Sequence, residues 1–352
     1  MPTSLRARWA AWALLLLLFG STAPALQAQS LDQGPRCATP EPTEAEARSA
    51  YEAVRAWLQQ HPTPPEGGVV TIPVAFHVIY SGGQGNVPES QIVDQIERFN
   101  IEFASFGYQF VLAVLDRTEN AQWFVDAPNQ EFAMKQALAV APAHFLNVYT
   151  ANLQGGLLGW ATFPNSYPED HFLHGVVIHY QTLPGGGYPN YGTGDTAIHE
   201  VGHYVGLYHT FQGGCAGGDT PPGCETGGDQ VCDTAAQSAP TWNCPPGYNS
   251  CPTGGPDPLN NFMSYAGDAC LFEFTDGQIT RSLALMSQFR PTIMSSPDAF
   301  AAPATLAFVN VRLGESETKR VHVVNLTDDP LLVAAIETDN DAFAADATSL
   351  TV

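Results

Sequence analysis

The chain has 352 residues, 44% of them hydrophobic, with 35 acidic against 13 basic side chains and a formal charge of −22 at pH 7. That length accommodates about two domains and that apolar content is ample for a core, so global disorder is set aside. A carboxylate excess of this size, with Lys135 and Lys319 the only lysines, speaks against nucleic acid and against an anionic membrane surface as partners.

Residues 1–28 read as a signal peptide. Arg6 and Arg8 open it, Trp9 to Phe19 form the apolar run, and Ala23-Pro24-Ala25 or Leu26-Gln27-Ala28 offers a small-residue exit. The run is short for a membrane span. The expectation is a secreted or extracellular protein with no membrane span in the mature chain, cell-surface attachment being left open. Residues 29–67 read as a propeptide: Arg36-Cys37-Ala38-Thr39-Pro40, a helix over Glu44 to Gln60, and a Pro/Gly link from Pro62 to Gly68. Cys37 stands apart from six cysteines between 215 and 270; six can pair and the seventh is left over. A thiolate is a good zinc ligand, so Cys37 could close the open position of a metal site further on. The other reading is a merely unpaired or intermolecular cysteine.

From Gly68 the pattern alternates between β and α. Val69 to Tyr80 is a strongly apolar strand ending in the turn Ser81-Gly82-Gly83, and Pro88 to Ala104 is a helix with Ile92, Ile96, Phe99 and Phe103 on one face. Strands follow at Phe110 to Leu115 and Phe145 to Tyr149, with a helix around Lys135 to Val140 between them. His77, mid-strand, reads as structural. Leu157 to Ala161 and His174 to Tyr180 are the next segments. Alternation puts His174 and His179 on opposite faces, so they and His171 read as surface or rim residues rather than a second metal site.

Gly194 to Thr210 carries the chemistry: His199-Glu200-Val201-Gly202-His203, then Gly206 and His209. Four residues apart on a helix, His199 and His203 project from one face and can grip one zinc ion. Glu200 lies beside the first ligand, placed to orient and deprotonate water at the metal. Gly206 can end the helix in the left-handed conformation and return His209 as a third ligand. Three protein ligands with a fourth position open mark a catalytic rather than a structural site.

Residues 212–260 are rich in Gly, Pro and Asp. So long an irregular stretch needs covalent or metal staples. The six cysteines there permit fifteen pairings; cysteine-ligated zinc is the competing reading. From Thr275 a helix with Ile279, Leu283 and Met286 packs back and closes this domain near Arg290. Beyond a linker from Ser295 to Pro303, Leu306 to Val311, Lys319 to Leu326 and Leu331 to Ile336 read as short strands, with turns at Gly314-Glu315 and Asp328-Asp329-Pro330.

The HExxHxxGxxH pattern resembles that of the metzincin metalloproteases, whose methionine turn is matched by Asn261-Phe262-Met263-Ser264-Tyr265. The surrounding text narrows the resemblance to the pappalysin family: Val205 to Phe211, Gly228-Asp229-Gln230-Val231-Cys232-Asp233-Thr234, and Cys270-Leu271-Phe272-Glu273-Phe274-Thr275 with Gln278 and Arg281, over roughly residues 35 to 290. The resemblance implies an α/β (α+β) fold: a metzincin-like catalytic domain over 68–294 with a twisted mixed sheet, a zinc-site helix and an irregular disulfide-stapled C-terminal subdomain. Residues 303–352 look like a partial immunoglobulin-like β repeat. It implies Met263 as an apolar floor under the zinc and Tyr265 as stabiliser of a developing oxyanion. It makes Cys37 a cysteine switch, although Ala38 stands where the family has glycine. It favours the bridges Cys215–Cys251 and Cys244–Cys270, which would leave Cys224 with Cys232. It assigns a structural calcium to Asp229, Thr234 and the carbonyl of Cys232, with Ala235 replacing the usual proline. It also implies an edge strand along the cleft that pairs with extended substrate, placed here near Val176 to Tyr180. Some relatives favour Arg or Lys after the scissile bond through an acidic residue just before the cysteine that follows the Met-turn, here Cys270. With Ala269 in the adjoining position and Asp268 one further back, the expectation is weak or absent basic selectivity unless Asp268 turns into the pocket.

The combined expectation is a secreted zinc endopeptidase made as a latent zymogen, using catalytic Zn²⁺ and structural Ca²⁺ and acting on proteins or peptides. The alternative is a surface adhesion or anchoring protein with a structural metal site; Glu200 counts against it, since a structural zinc needs no general base.

Overall fold

A computed structural model describes residues 36–62, 68–295 and 299–302 and, in the tail, 315–327, 329–333, 335–336, 344–345, 347 and 349–352. The expected signal peptide and the expected strand Leu306 to Val311 lie outside these residues. In chain order the main elements are α1 (Glu44–Gln60), β1 (Val70–Tyr80), α2 (Glu89–Glu102), β2 (Tyr108–Glu119), α3 (Ala121–Val125), α4 (Ala127–Leu138), β3 (Leu146–Ala151), β4 (Gly159–Ala161), β5 (Val176–His179), α5 (Asp195–Tyr204), the single turn α6 (Gly223–Thr226), α7 (Asp276–Phe289) and α8 (Pro291–Met294). The tail adds β6 (Ala299–Ala302), β7 (His322–Asn325), β8 (Leu332–Val333) and β9 (Leu350–Thr351).

Five strands form one sheet in the order β2-β1-β3-β5-β4, with β4 antiparallel and the other neighbours parallel. A strand inside a parallel sheet is covered on both faces, which is why β1 is an unbroken apolar run. Its even residues Ile72, Val74, Phe76 and Val78 join the core with Ile92, Phe99, Phe103, Ile198, Val201 and Met286. On the opposite face Ile79 meets Phe124, Met134, Tyr149 and Trp160. His77 shares that second parity and is fully buried. Its Nδ1 bonds Asp116 at 2.6 Å and its Nε2 bonds Asn147 Oδ1 at 2.9 Å, so one ring ties β1 to both neighbours.

Three local expectations are corrected. The helix around Lys135 starts earlier, at Ala127, because Pro128 is pre-shaped for a first turn, and ends at Leu138 where Ala139 turns extended. The edge strand is β4 rather than the segment near Val176 to Tyr180: β5 continues the parallel order against β3, Val148 opposite Val176, and leaves the antiparallel strand outside it. His174 and His179 are not rim residues; they are 1% and 3% exposed. His174 Nε2 donates to the carbonyls of Tyr167 and Pro168.

Burial, reinforced by the Arg290 and Lys135 charges, pushes the His174 pKa down to about 3. A histidine depressed in the folded state stabilises it above its unfolded pKa, about 6.5, and loses that contribution as pH falls towards the folded value. Between pH 6.5 and 5 this one residue should cost about 2 kcal/mol. Urea unfolding at the two pH values should therefore show a fall in stability that is smaller by about that amount in His174→Gln. An equal fall in the variant would contradict the buried neutral ring.

After α5 the chain runs irregularly to Thr275 under three disulfides, Cys215–Cys251, Cys224–Cys232 and Cys244–Cys270. Closing loops as long as the first and third removes about 3–4 kcal/mol each of unfolded-state freedom. Buried Arg281 of α7 reaches in, donating to Gly206 O at 2.9 Å and Gln230 Oε1 at 3.0 Å while lying over Tyr208. Thr275 and Gln278 form a capping box that starts α7. In the tail, β6 pairs with β7 and β8 with β9, all antiparallel. Val324 joins Ala75, Val140 and Phe145 in a small core, with Phe300 against it.

Candidate metal centre

Helix α5 begins beside the sheet. Gly194 (φ 100°) turns the chain in, and Asp195, in the favourable first turn, pairs with Arg98. His199 and His203 then lie one turn apart. Gly206 (φ 102°) ends the run, and a Cβ there would sit 2.5 Å from Leu285, so only glycine lets the chain swing His209 back. His203 Nε2 is 3.1 Å from the Nε2 atoms of both His199 and His209.

The tautomers follow from the partners. His199 Nδ1 lies 2.7 Å from Phe262 O, and His203 Nδ1 lies 2.7 Å from Leu207 O. A carbonyl can only accept, so both Nδ1 atoms carry hydrogen and both Nε2 atoms present lone pairs. Lone pairs converging at this distance repel unless a cation sits among them. Burial lowers the pKa of His199 to about 4; burial and neighbouring imidazoles hold His203 and His209 well below the ordinary histidine value. Neutral imidazole is the ligand form, so the donor set fits zinc.

Glu200 points from the same helix towards β4. A Cβ on Gly159 would come within 2.8 Å of its side chain, so glycine in the edge strand makes its room. Burial raises the Glu200 pKa to about 8. A divalent cation among the imidazoles would oppose that shift and favour the carboxylate, the form a general base needs. Beneath α5, Gly202 makes way for Met263, whose sulfur would lie 2.4 Å from an added Cβ.

Cys37 is the one free cysteine, and it is buried. Its Sγ and one nitrogen from each of the three histidines lie within 4.8 Å of one another. The thiol also reaches Glu200 Oε2 at 3.4 Å and Thr39 Oγ1 at 3.1 Å. Burial and then the Glu200 charge push its pKa well up; a divalent cation among the imidazoles would reverse that and favour the thiolate. The segment around it is strand-paired with the edge. Arg36 O accepts from Leu158 N at 2.7 Å, Ala38 N donates to Gly159 O at 2.9 Å, and Ala161 N donates to Thr39 Oγ1 at 2.9 Å. Tyr265 donates to Cys37 O at 3.3 Å, and its ring lies 5.1 Å from that of His209. Burial raises its pKa, so the phenol stays a donor.

On one side of Cys37, a recess is lined by Tyr191, Asp195, Ala266, Asp268 and Leu271 and receives Arg36, whose guanidinium lies 4.0 Å over the Tyr191 ring. With Arg36 and Cys37 in place about 30 Å³ remains. Asp268 does turn towards this recess. Its Oδ2 accepts from Thr193 N and Oγ1 at 2.8 and 2.7 Å, while Oδ1 has no partner among the described residues. This turn of Asp268 is the exception attached to the expectation of weak or absent basic selectivity. Neither Arg36 nor Thr39 was singled out in the sequence as a site residue; only their adjacency to Cys37 could have marked them.

Asp229 is buried away from this centre. Its Oδ1 accepts from Val231 N at 3.0 Å, its Oδ2 has no partner among the described residues, and burial raises its pKa to about 7. Thr234 Oγ1 lies nearby in sequence, donating to Val231 O, and Cys232 is bridged to Cys224. An orphaned buried carboxylate oxygen fits a seat for a hard cation.

Residues 132–287 match the Peptidase_M43 family, described as pregnancy-associated plasma protein-A. An extracellular metalloprotease of Arthroderma benhamiae is 42% identical over 224 residues, 63% of this chain and 74% of the relative. One from Pyricularia oryzae is 39% identical over 290 residues, 78% of this chain and 96% of the relative. Among solved structures, a Tannerella forsythia promirolysin variant superposes with TM-score 0.60 at 25% identity, over 74% of this chain and 97% of that one. Mature mirolysin in complex with a cleaved peptide gives TM-score 0.57 at 28% identity, over 65% and 97%.

Proposed function

Because this chain belongs to the Peptidase_M43 (pappalysin) family and is a zinc metalloendopeptidase, we propose that it is exported as a latent precursor with a propeptide over 29–67, of which the segment 36–42 closes the cleft of a catalytic domain spanning 68–294. The zinc ligands are His199, His203 and His209. The observation that carries the latency is the place of Cys37: its sulfur joins the three imidazole nitrogens and its neighbours occupy the edge strand. Relatives named extracellular metalloproteases support export, and the 1–28 segment would direct it.

When bound, zinc supplies Lewis-acid polarisation of a peptide carbonyl and of the attacking water. The chain's own residues do the rest. Gly159 and Ala161 offer backbone groups to an extended substrate once residues 36–39 leave. Glu200 takes a proton from water and passes it to the departing amine. Tyr265 donates to the developing oxyanion. Asp268 and Tyr191 receive a basic side chain where Arg36 lies, giving preference for Arg beside the scissile bond. The test is digestion of a peptide library by activated protein before chelation, after it, and after zinc is restored. Activity should disappear and return, with Arg enriched beside the cut; cleavage that survives complete zinc removal would defeat the proposal.

We also assign a structural calcium to Asp229, Thr234 and the carbonyl of Cys232, where the loop has little apolar core of its own. A ligand at a hundredfold excess over its dissociation constant stabilises by about 2.7 kcal/mol, roughly 5–10 °C in a domain of this size. Asp229→Ala should lose that increment and its calcium dependence; an unchanged melting temperature and calcium response would remove the site.

A further inference from the structure

The cleft continues past Cys37 on the side away from Arg36. There residues 38–42 bridge a hollow of about 380 Å³ before α1 begins. Trp160 and Phe163, 5% and 6% exposed, form part of its wall, with Tyr167 and Leu173 beside them. The bridge itself encloses part of this volume; the walls that stay when it leaves include Trp160, Phe163, Ser166, Tyr167 and Leu173, a largely apolar surface with a few polar groups, as side-chain pockets have. The bridge inserts no large apolar side chain: it reads Ala38-Thr39-Pro40-Glu41-Pro42, and Ala38, Pro40 and Glu41 are exposed.

The bridge is anchored at its ends. Ala38 and Thr39 are bonded to β4. Beyond Pro42, Glu46 accepts from Ser166 Oγ at 3.1 Å through its carboxylate and from Asn165 Nδ2 at 3.0 Å through its carbonyl. Release of the segment therefore frees the pairing edge and opens the hollow beside it together. The acidic group at the rim is already engaged: Glu131 Oε1 accepts from the Trp160 indole at 2.7 Å and from Lys135 at 2.8 Å. A charged substrate side chain would meet a neutralised pair, whereas an aromatic ring would meet the apolar and aromatic residues Trp160, Phe163, Tyr167 and Leu173 of the lining.

We propose that this hollow is a second specificity subsite, taking an aromatic side chain from the substrate stretch across the scissile bond from the Arg36 recess. The proposal rests on the endopeptidase reading above. The test uses the full chain activated by proteolysis in the 62–68 link, and quenched peptides with Arg fixed on one side of the bond. Phe, Gly or Lys is scanned through the positions on the other side. At one position Phe should exceed Gly and Lys in kcat/KM, on the order of 10-fold. Ser166→Trp, which fills the hollow, should bring that ratio close to one, and Tyr167→Ala, which removes a wall, should lower it. A ratio near one at every position in the wild type, or a preference untouched by both substitutions, would overturn the subsite while leaving the endopeptidase reading intact. Cleavage of none of the peptides would overturn both.

Discussion

Glu200→Ala should retain one equivalent of zinc and lose about 10²–10⁴-fold in kcat, the range for removing a positioned acid–base group. That is about 2.7–5.5 kcal/mol of barrier. The metal should stay because Glu200 lies outside the set of imidazole nitrogens, and the His199 and His203 tautomers are held by Phe262 O and Leu207 O, which the substitution leaves alone. The activity should go because the attacking water would lose the carboxylate placed beside His199 to take its proton and hand it to the departing amine. Metal analysis beside kcat on one peptide decides it. Loss of zinc would mean Glu200 helps hold the site, and near-normal turnover would remove it from the chemistry.

Cys37→Ala should turn a silent precursor into one with measurable activity, or one that processes itself during expression. The gain should be partial. Arg36 still fills its recess, Thr39 still binds Ala161 N and Glu200, and α1 remains held through Gln230 Nε2 to Ala47 O at 3.2 Å. Thiol-reactive mercurials should activate the wild-type precursor without prior cleavage, slowly, since Cys37 is only 6% exposed. A variant as silent as wild type, together with a Cys37 that reacts like an exposed thiol, would leave steric cover by the propeptide as the whole of latency.

Much of this was legible in the sequence, and unevenly so. The mixed α/β architecture is written in the apolar run of β1 and the helical spacing of Ile92, Ile96 and Phe99, both local signals. The converging histidines follow from helix geometry plus one glycine. What the sequence left open depends on neighbours. Periodicity marks 157–161 and 174–180 as extended, but β5 pairs with β3 and leaves β4 as the edge, a choice made by long-range packing. His174 resembled a rim residue because alternation ranks faces without saying which is covered. Asp268 looked displaced by Ala269, yet Thr193 holds its carboxylate at the recess. The three bridges could not be read from spacing, since six cysteines allow fifteen pairings; family resemblance narrowed them. Thr39 carries no signal of its own, and its role exists only because the chain before α1 folds back along the sheet edge.

The most direct test of the central claim is zinc K-edge X-ray absorption on the full precursor and on the proteolytically activated protein. The precursor should show one sulfur at about 2.3 Å and three nitrogens at about 2.0–2.1 Å, and activation should remove the sulfur and leave light atoms only. A precursor site with no sulfur shell, or a sulfur that persists in fully active enzyme, would contradict the account.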